Sequence, residues 1–346
     1  MDKSYCIFLQ NRGFMLSLQA MDEYRIRIIR RGEELPPMES GNFFHSPTLF
    51  YILCQTPRIT PYMVVAEDER NKIIAHILVS VRRIHSWLPP FLYSNARIYG
   101  EGEYSEEANK QAVFGLMLSA ISKLLHHKRC FYIEVSDLSQ KMFGYKQLRE
   151  NGYFPIHWQK IHNSLHSCDP KDRISQKMLQ RIEYFHKIGI ETTEATDYAT
   201  IRKFYQILRA FYRFKFRRFI PSERLFEVLH QKGLCRIFIT SNKNKIIGGT
   251  CCLYCNNDCY LWYLASRRKR YIHLHPHTIS IWHAIQQAYA DKMQHIRFMD
   301  VGLPYKKNLF RNFILQFGGK PVGTFRWFHF NGKILNIFFE WIYKES

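Results

Sequence analysis

The stretch Asn71-Lys72-Ile73-Ile74-Ala75 recurs as Asn244-Lys245-Ile246-Ile247-Gly248, and its surroundings recur with it. Val64-Val65-Ala66 precedes the first copy and Ile237-Phe238-Ile239 the second, at the same spacing. Each copy reads as an apolar run, a short polar turn and a second apolar run, the pattern of a β-hairpin. Downstream, Val113, Leu116, Met117, Ala120, Ile121 and Leu124 form a stripe at helical spacing that leads into the extended run 131–135. Thr278, Ile281, Trp282, Ile285 and Ala288 form its counterpart, leading into 296–301. A helical segment closed by glycine follows each, at 143–152 and 309–318. A repeat unit of this length is a whole domain rather than a solenoid module. The expected organisation is therefore two equivalent halves, 1–170 and 171–346, the second carrying a linking helix.

The bulk composition fits that organisation. With 346 residues and 46% apolar content, each half is large enough to enclose its own core. No apolar run approaches the length of a bilayer crossing, and Met1-Asp2-Lys3-Ser4 does not open a signal-peptide profile. The expected address is the cytoplasm. Fifty basic residues against twenty-nine acidic ones leave a formal charge of +21, which bears on partners rather than on fold. The excess is clustered at Arg25, Arg27, Arg30 and Arg31, at Arg213, Lys215, Arg217 and Arg218, and at Arg267, Arg268, Lys269 and Arg270. Such clusters attract RNA, nucleotide phosphates or an anionic membrane surface. Nine cysteines in a cytosolic chain argue against a disulfide framework. Cys251, Cys252, Cys255 and Cys259 sit in a strand pair without a second CxxC or a His pair, and read as small buried hydrophobes rather than zinc ligands. No metal is expected.

Along the chain, Ser46 caps a helix that begins at Pro47, and Pro221-Ser222 opens its counterpart. Extended segments are expected at 62–81 and 97–104, with 161–166 as the last strand of the first half. The spacing of Ile174, Met178, Ile182 and Phe185 predicts one helix over 172–188. Asp197 caps another, with Ile201, Phe204, Leu208 and Phe211 on one face. Helices alternating with hairpins in two halves imply an α/β protein of mixed sheets covered by helices.

Taken in order, Phe43-Phe44-His45-Ser46-Pro47, the hairpin at Lys245-Ile246-Ile247-Gly248-Gly249, the strand Tyr260-Leu261-Trp262-Tyr263 and the closing Arg311-Asn312-Phe313-Ile314-Leu315-Gln316-Phe317-Gly318-Gly319 resemble FemABX-like proteins. The likeness runs over roughly 40–335. These are tandem GNAT-superfamily N-acyltransferases. The resemblance implies two GNAT-like domains and transfer of an acyl or aminoacyl group to an amine acceptor, such as a peptidoglycan cell-wall precursor. It implies acyl-CoA or aminoacyl-tRNA as co-substrate, with no tightly bound cofactor. Direct attack of an amine on a carbonyl needs orientation and hydrogen-bond donors for the oxyanion, not a catalytic triad.

Asp300, at a strand end, is the candidate to orient the amine or receive its proton, with a turn cap as the alternative. Arg311, with Lys306 and Lys307, is the candidate to hold anionic groups, because Ile314 stands where the family often has lysine. Trp262 and Tyr263 are candidates for lining the cleft, although one of two adjacent strand aromatics ordinarily faces the core. Arg267 and Arg268 belong to the basic run that replaces the glycine-rich pyrophosphate loop of CoA-using relatives. Helix-start amides beside that run can still bind phosphate. His273, His275 and His277 read as an ordinary basic loop. The alternating aromatics and cations of 211–219 read as a helix with snorkelling arginines or as a base-stacking surface. The rival function is a catalytically degenerate protein that binds RNA or a nucleotide-linked anion.

Overall fold

In the computed structural model the described residues are 24–85, 91–136, 142–213, 218–267, 270–299 and 301–344. In chain order the strands are β1 (Arg25–Arg30), β2 (Ile59–Glu67), β3 (Ile73–His85), β4 (Leu92–Tyr99), β5 (Glu103–Tyr104), β6 (Tyr132–Ser136), β7 (Phe154–Ser164), β8 (Ile190–Glu194), β9 (Cys235–Asn242), β10 (Lys245–Cys255), β11 (Asp258–Ser266), β12 (His295–Phe298) and β13 (Lys320–Phe330). The helices are α1 (Pro47–Cys54), α2 (Lys110–His127), α3 (Tyr145–Glu150), α4 (Pro170–Arg173), α5 (Gln176–Lys187), α6 (Tyr198–Tyr212), α7 (Glu223–Gln231), α8 (Pro276–Ala290), α9 (Leu309–Leu315) and α10 (Lys333–Lys344).

Two compact units emerge. One comprises residues 1–54, 58–156 and 325–346, the other 55–57 and 157–324. These bounds differ from a division at 170/171, and strand pairing is the reason. Residues 326–330 of β13 run antiparallel to β6, so the chain end belongs to the first unit. Ile161–Ser164 of β7 run antiparallel to β12, so that segment belongs to the second unit rather than forming the last strand of the first.

The first unit orders its strands β1-β2-β3-β4-β6-β13, with β5 pairing β3. The β2–β3 turn is the first copy of the repeated motif, and Asn71 takes φ 59°, a left-handed conformation that asparagine tolerates better than most residues. The α2 stripe of Val113, Met117 and Ile121 is fully buried against Val64, Ile77 and Val135. Ser46 Oγ accepts from the Leu49 amide at 3.1 Å, the expected cap of α1. His45, just before it, is buried: its Nδ1 accepts from the Leu78 amide at 3.1 Å, so Nε2 carries the proton it donates to the Tyr99 carbonyl at 2.6 Å. Burial, with the nearby His76, holds its pKa down at about 4.

The second unit orders its strands β7-β12-β11-β10-β9-β8. Its repeated motif forms the β9–β10 turn, with Lys243 at φ 47° and Asn244 at φ 62°. Helix α8 packs its Ile279, Ile281, Trp282, Ile285 and Ala288 into the core formed with Cys252, Cys259, Ile296 and Phe298. Burial pushes the Cys251 and Cys259 thiols well up and Cys255 to about 12, so these thiols are protonated packing groups. The single helix expected over 172–188 is broken into α4 and α5. Ser175 interrupts it, its hydroxyl accepting from the Met178 amide at 3.3 Å as a fresh N-cap. Asp197 caps α6 as expected, accepting from the Thr200 amide at 2.9 Å. Among the described residues no helix is long and apolar enough to cross a membrane.

The His45 geometry sets a pH dependence. Its folded pKa lies below the ordinary value of 6.5, so the unfolded chain binds the extra proton first as pH falls. His45 is expected to contribute about 3 kcal/mol of first-unit stability above pH 6.5 that is lost progressively down to pH 4. Urea unfolding across that range measures it; a midpoint that stays flat contradicts a neutral, buried imidazole.

Candidate active site

The decisive local feature is where β11 loses its neighbours. Strand β12 pairs with it in parallel from Asp258↔His295 to Leu261↔Phe298, and the register ends there. On the other side the β10 register runs Cys251↔Tyr263, then Cys252↔Leu261, which leaves Trp262 as an extra residue in β11. A bulge bends its strand and re-aims a side chain. Beyond Leu261 and Phe298 the two parallel strands therefore part, and the remainder of β11 borders open space.

That space is a pocket of about 490 Å³ within the second unit. Trp262, Leu264, Phe298 and Met299 form its strand wall, and Phe310 and Phe313 of α9 another side. His275, Pro276, His277 and Thr278, the start of α8, stand at the wall as well, together with Tyr212, Arg218 and Arg181. The mixture of a broad apolar lining with a few polar groups is the usual make-up of a small-molecule site.

Backbone carbonyls on the strand edge need partners, since a buried acceptor left unmet is costly. Tyr212 Oη donates to the Leu264 carbonyl at 3.2 Å, and Arg218 Nη2 to the Trp262 carbonyl at 2.5 Å. Arg218 is itself held over the rings of Tyr212 and Tyr263, 5.2 and 5.1 Å from their centroids. In the sequence these two residues fall in the aromatic and basic run of 211–219, read as a helix with snorkelling arginines or a base-stacking surface rather than as a wall of the acyl-transfer site. Their alternation was the available signal; residues 214–217 lie outside the described part of that run.

The start of α8 brings polar groups. Pro276 occupies the first helical turn after His275 at φ 38°, a left-handed residue that turns the incoming loop sharply. His277 Nε2 and Ser266 Oγ are hydrogen-bonded at 2.7 Å. Thr278 is 1% exposed, and its hydroxyl has no hydrogen-bond partner among the described residues. In the sequence it read only as part of the α8 core stripe. An unpartnered buried hydroxyl at the positive end of a helix, on a pocket wall, is suited to an oxygen-bearing ligand.

The residues singled out from sequence fall in several places. Trp262 lines the pocket. Tyr263 is buried on the other face of β11, its hydroxyl donating to the Phe219 carbonyl at 3.3 Å. Arg267 is exposed at the strand end, its amide bonded to the Ile247 carbonyl at 2.8 Å. Arg268 and Asp300 lie outside the described residues. Lys306 and Lys307 are exposed in the loop before α9. Arg311 faces that loop, donating from Nη1 to the Leu303 carbonyl at 2.5 Å and from Nη2 to the Lys306 carbonyl at 2.8 Å. Asn308 completes the clasp: Oδ1 accepts from the Phe310 and Arg311 amides, and Nδ2 donates to the Val301 carbonyl at 2.9 Å. Gly302 at φ 87° permits this, because a Cβ there would stand 2.5 Å from Asn308 Nδ2. Ile314 is fully buried in the core, so the position where relatives often carry lysine is a packing position in this chain. The Phe-Gly-Gly turn after it is steric too: Gly318 has φ 83°, and a Cβ there would lie 2.6 Å from that of Arg173.

Residues 175–307 match the family model described as an acetyltransferase (GNAT) domain. No curated protein matches the chain. Among solved structures, FemX is similar at a TM-score of 0.59 and 10% identity, over 87% of this chain and 95% of that one. L-PGS from Bacillus licheniformis gives 0.57 at 9% identity, over 85% and 92%. A tandem GNAT protein from the clavulanic acid biosynthesis pathway gives 0.53 at 10% identity, over 89% and 99%.

The loop clasp has a measurable consequence. Arg311→Ala leaves the Leu303 and Lys306 carbonyls without their charged donor and is expected to lower urea-unfolding stability by about 2 kcal/mol. An unchanged midpoint would show that the guanidinium is not holding the loop. Residues 175–307 are thus similar to an acetyltransferase-type GNAT domain, and the chain carries a tandem GNAT-like fold, as expected from its sequence.

Proposed function

We propose that the protein is an N-acyltransferase whose reaction centre is the pocket where β11 parts from β12. The observation that carries this reading is the Trp262 bulge together with the end of pairing at Leu261 and Phe298, beside the α8 start with its unpartnered Thr278 hydroxyl. A strand edge released from its neighbour offers backbone groups to an extended donor, and a helix start offers partial positive charge to its anionic end.

The chemistry is a single displacement. The amine lone pair attacks the acyl carbonyl carbon, and a tetrahedral intermediate forms with its charge on oxygen. The carbon–sulfur bond of a thioester, or the carbon–oxygen bond of an aminoacyl ester, then breaks. The amine gives up a proton and the leaving thiolate or alkoxide takes one. Asp300 is the proposed group to orient the amine and receive its proton. The pocket's apolar wall of Trp262, Phe298 and Met299 would exclude water that competes with the amine. Arg267, Arg268, Lys306 and Lys307 are proposed to attract the anionic part of the donor, and Arg311 to act through the loop it clasps.

The relatives support both donor classes. The GNAT-domain match favours acyl-CoA. The FemABX-like sequence features imply aminoacyl-tRNA as the other donor and a cell-wall precursor as an amine acceptor, and the fold likeness to FemX is in keeping with that reading. The net charge of +21 suits either polyanion.

The test is acyl transfer by the full chain, followed by mass spectrometry, over a panel of acyl-CoAs and aminoacyl-tRNAs with amino-sugar and amino-acid acceptors. Turnover with at least one pair is expected. Thr278→Val should raise the donor KM about tenfold with little change in melting temperature. Binding of RNA or nucleotides without turnover over the whole panel would favour the degenerate binding protein instead.

A further inference from the structure

Helix α10 is held the wrong way round for a helix that serves a core. Its inward side is polar and aromatic. Asn336 Oδ1 accepts from the Phe330 amide at 2.8 Å, and Asn336 Nδ2 donates to the Gly152 carbonyl at 2.9 Å. Phe339 stacks on Phe330 at 4.1 Å between centroids. This anchorage turns Ile334, Ile337, Phe338, Trp341 and Ile342 outward, with exposures of 85, 66, 50, 56 and 38%. Their positions follow the 3.6-residue period, so they form one continuous stripe rather than scattered residues. Lys333 and Glu340 fall on its flank.

Beyond the helix, further exposed aromatics and apolar residues lie on the same unit, linked to it through the buried Phe330. Phe330 is also in ring contact with Phe131, 5.7 Å away, and Phe131 with Tyr93 at 5.8 Å. Tyr93 adjoins Phe91 and Leu92, which are 64 and 55% exposed. The same edge of the first unit is basic. The Asn331 amide donates to the Phe131 carbonyl at 2.9 Å, so the turn into α10 lies beside the turn His126-His127-Lys128-Arg129, all of it exposed. An outward apolar stripe with tryptophan, bordered by lysine and arginine on a chain of charge +21, matches the chemistry of an anionic lipid surface.

We propose that α10 lies in the plane of an anionic lipid leaflet, inserting Ile334, Ile337, Phe338, Trp341 and Ile342 among the acyl chains while Lys128, Arg129 and Lys333 meet the headgroups. The first unit thereby docks the protein on a membrane surface without crossing it. This inference stands independently of the acyl-transfer reading.

The test is co-sedimentation of the full chain with vesicles of phosphatidylcholine alone and of equal parts phosphatidylcholine and phosphatidylglycerol. Binding to the anionic vesicles is expected to exceed binding to the neutral ones, and to weaken with added salt. Ile337→Asp with Trp341→Asp is expected to lower it about tenfold at unchanged melting temperature. Brominated lipid supplies a readout that tolerates a fragile variant: it should quench wild-type tryptophan fluorescence, and Trp341→Phe should remove most of that quenching. Failure to bind anionic vesicles overturns the proposal, as does quenching that persists in Trp341→Phe. Sedimentation velocity identifies the remaining case: a lipid-indifferent dimer that the double substitution splits would assign the stripe to a second copy of the chain.

Discussion

The second unit depends on how one strand edge is satisfied. A β-strand that loses its neighbour must leave its carbonyls to water or give them to side chains. In β11 the Trp262 and Leu264 carbonyls are taken by Arg218 and Tyr212. That arrangement lets β11 run on past the end of β12 without closing the gap, and the pocket is the result. Arg218 is held in turn by the rings of Tyr212 and Tyr263, so the edge, the aromatic pair and the cation form one unit. The bulge at Trp262 supplies the bend, and Gly302, Asn308 and Arg311 fix the loop leading into α9, whose phenylalanines face the pocket.

The fold was legible because hydrophobic period and turn chemistry agree in both halves. The repeated asparagine turns take the left-handed conformations that their residue types favour, and the α2 and α8 stripes are buried as their spacing implies. Strand exchange was not legible. Nothing in the local pattern of 154–164 or 320–330 says which strands each pairs with, since pairing partners are set by tertiary packing and not by alternation. The break at Ser175 was hidden for a related reason: the apolar period of Ile174, Met178, Ile182 and Phe185 continues across it, while the serine hydroxyl restarts the helix.

The site was legible only in part. Trp262 stood out as an aromatic in a central strand, and it does face the pocket. Arg311 stood out as a cation near the motif, yet its guanidinium is spent on two loop carbonyls, a role that charge alone does not reveal. Thr278 reads in sequence as one more member of a buried stripe. Only the folded structure shows that its hydroxyl lacks a partner among the described residues and that it stands where α8 begins. Ile314 illustrates the converse. Its departure from the family pattern suggested a lost functional cation, whereas its complete burial makes it a core residue.

The central claim is that the parted edge of β11 and the start of α8 receive the acyl donor. Amide hydrogen exchange of the full chain, with and without a saturating donor that supports turnover, addresses it directly. The account predicts slowed exchange in peptides covering 261–266 and 275–280. Protection confined to peptides of the first unit, with these two segments unchanged, would contradict it.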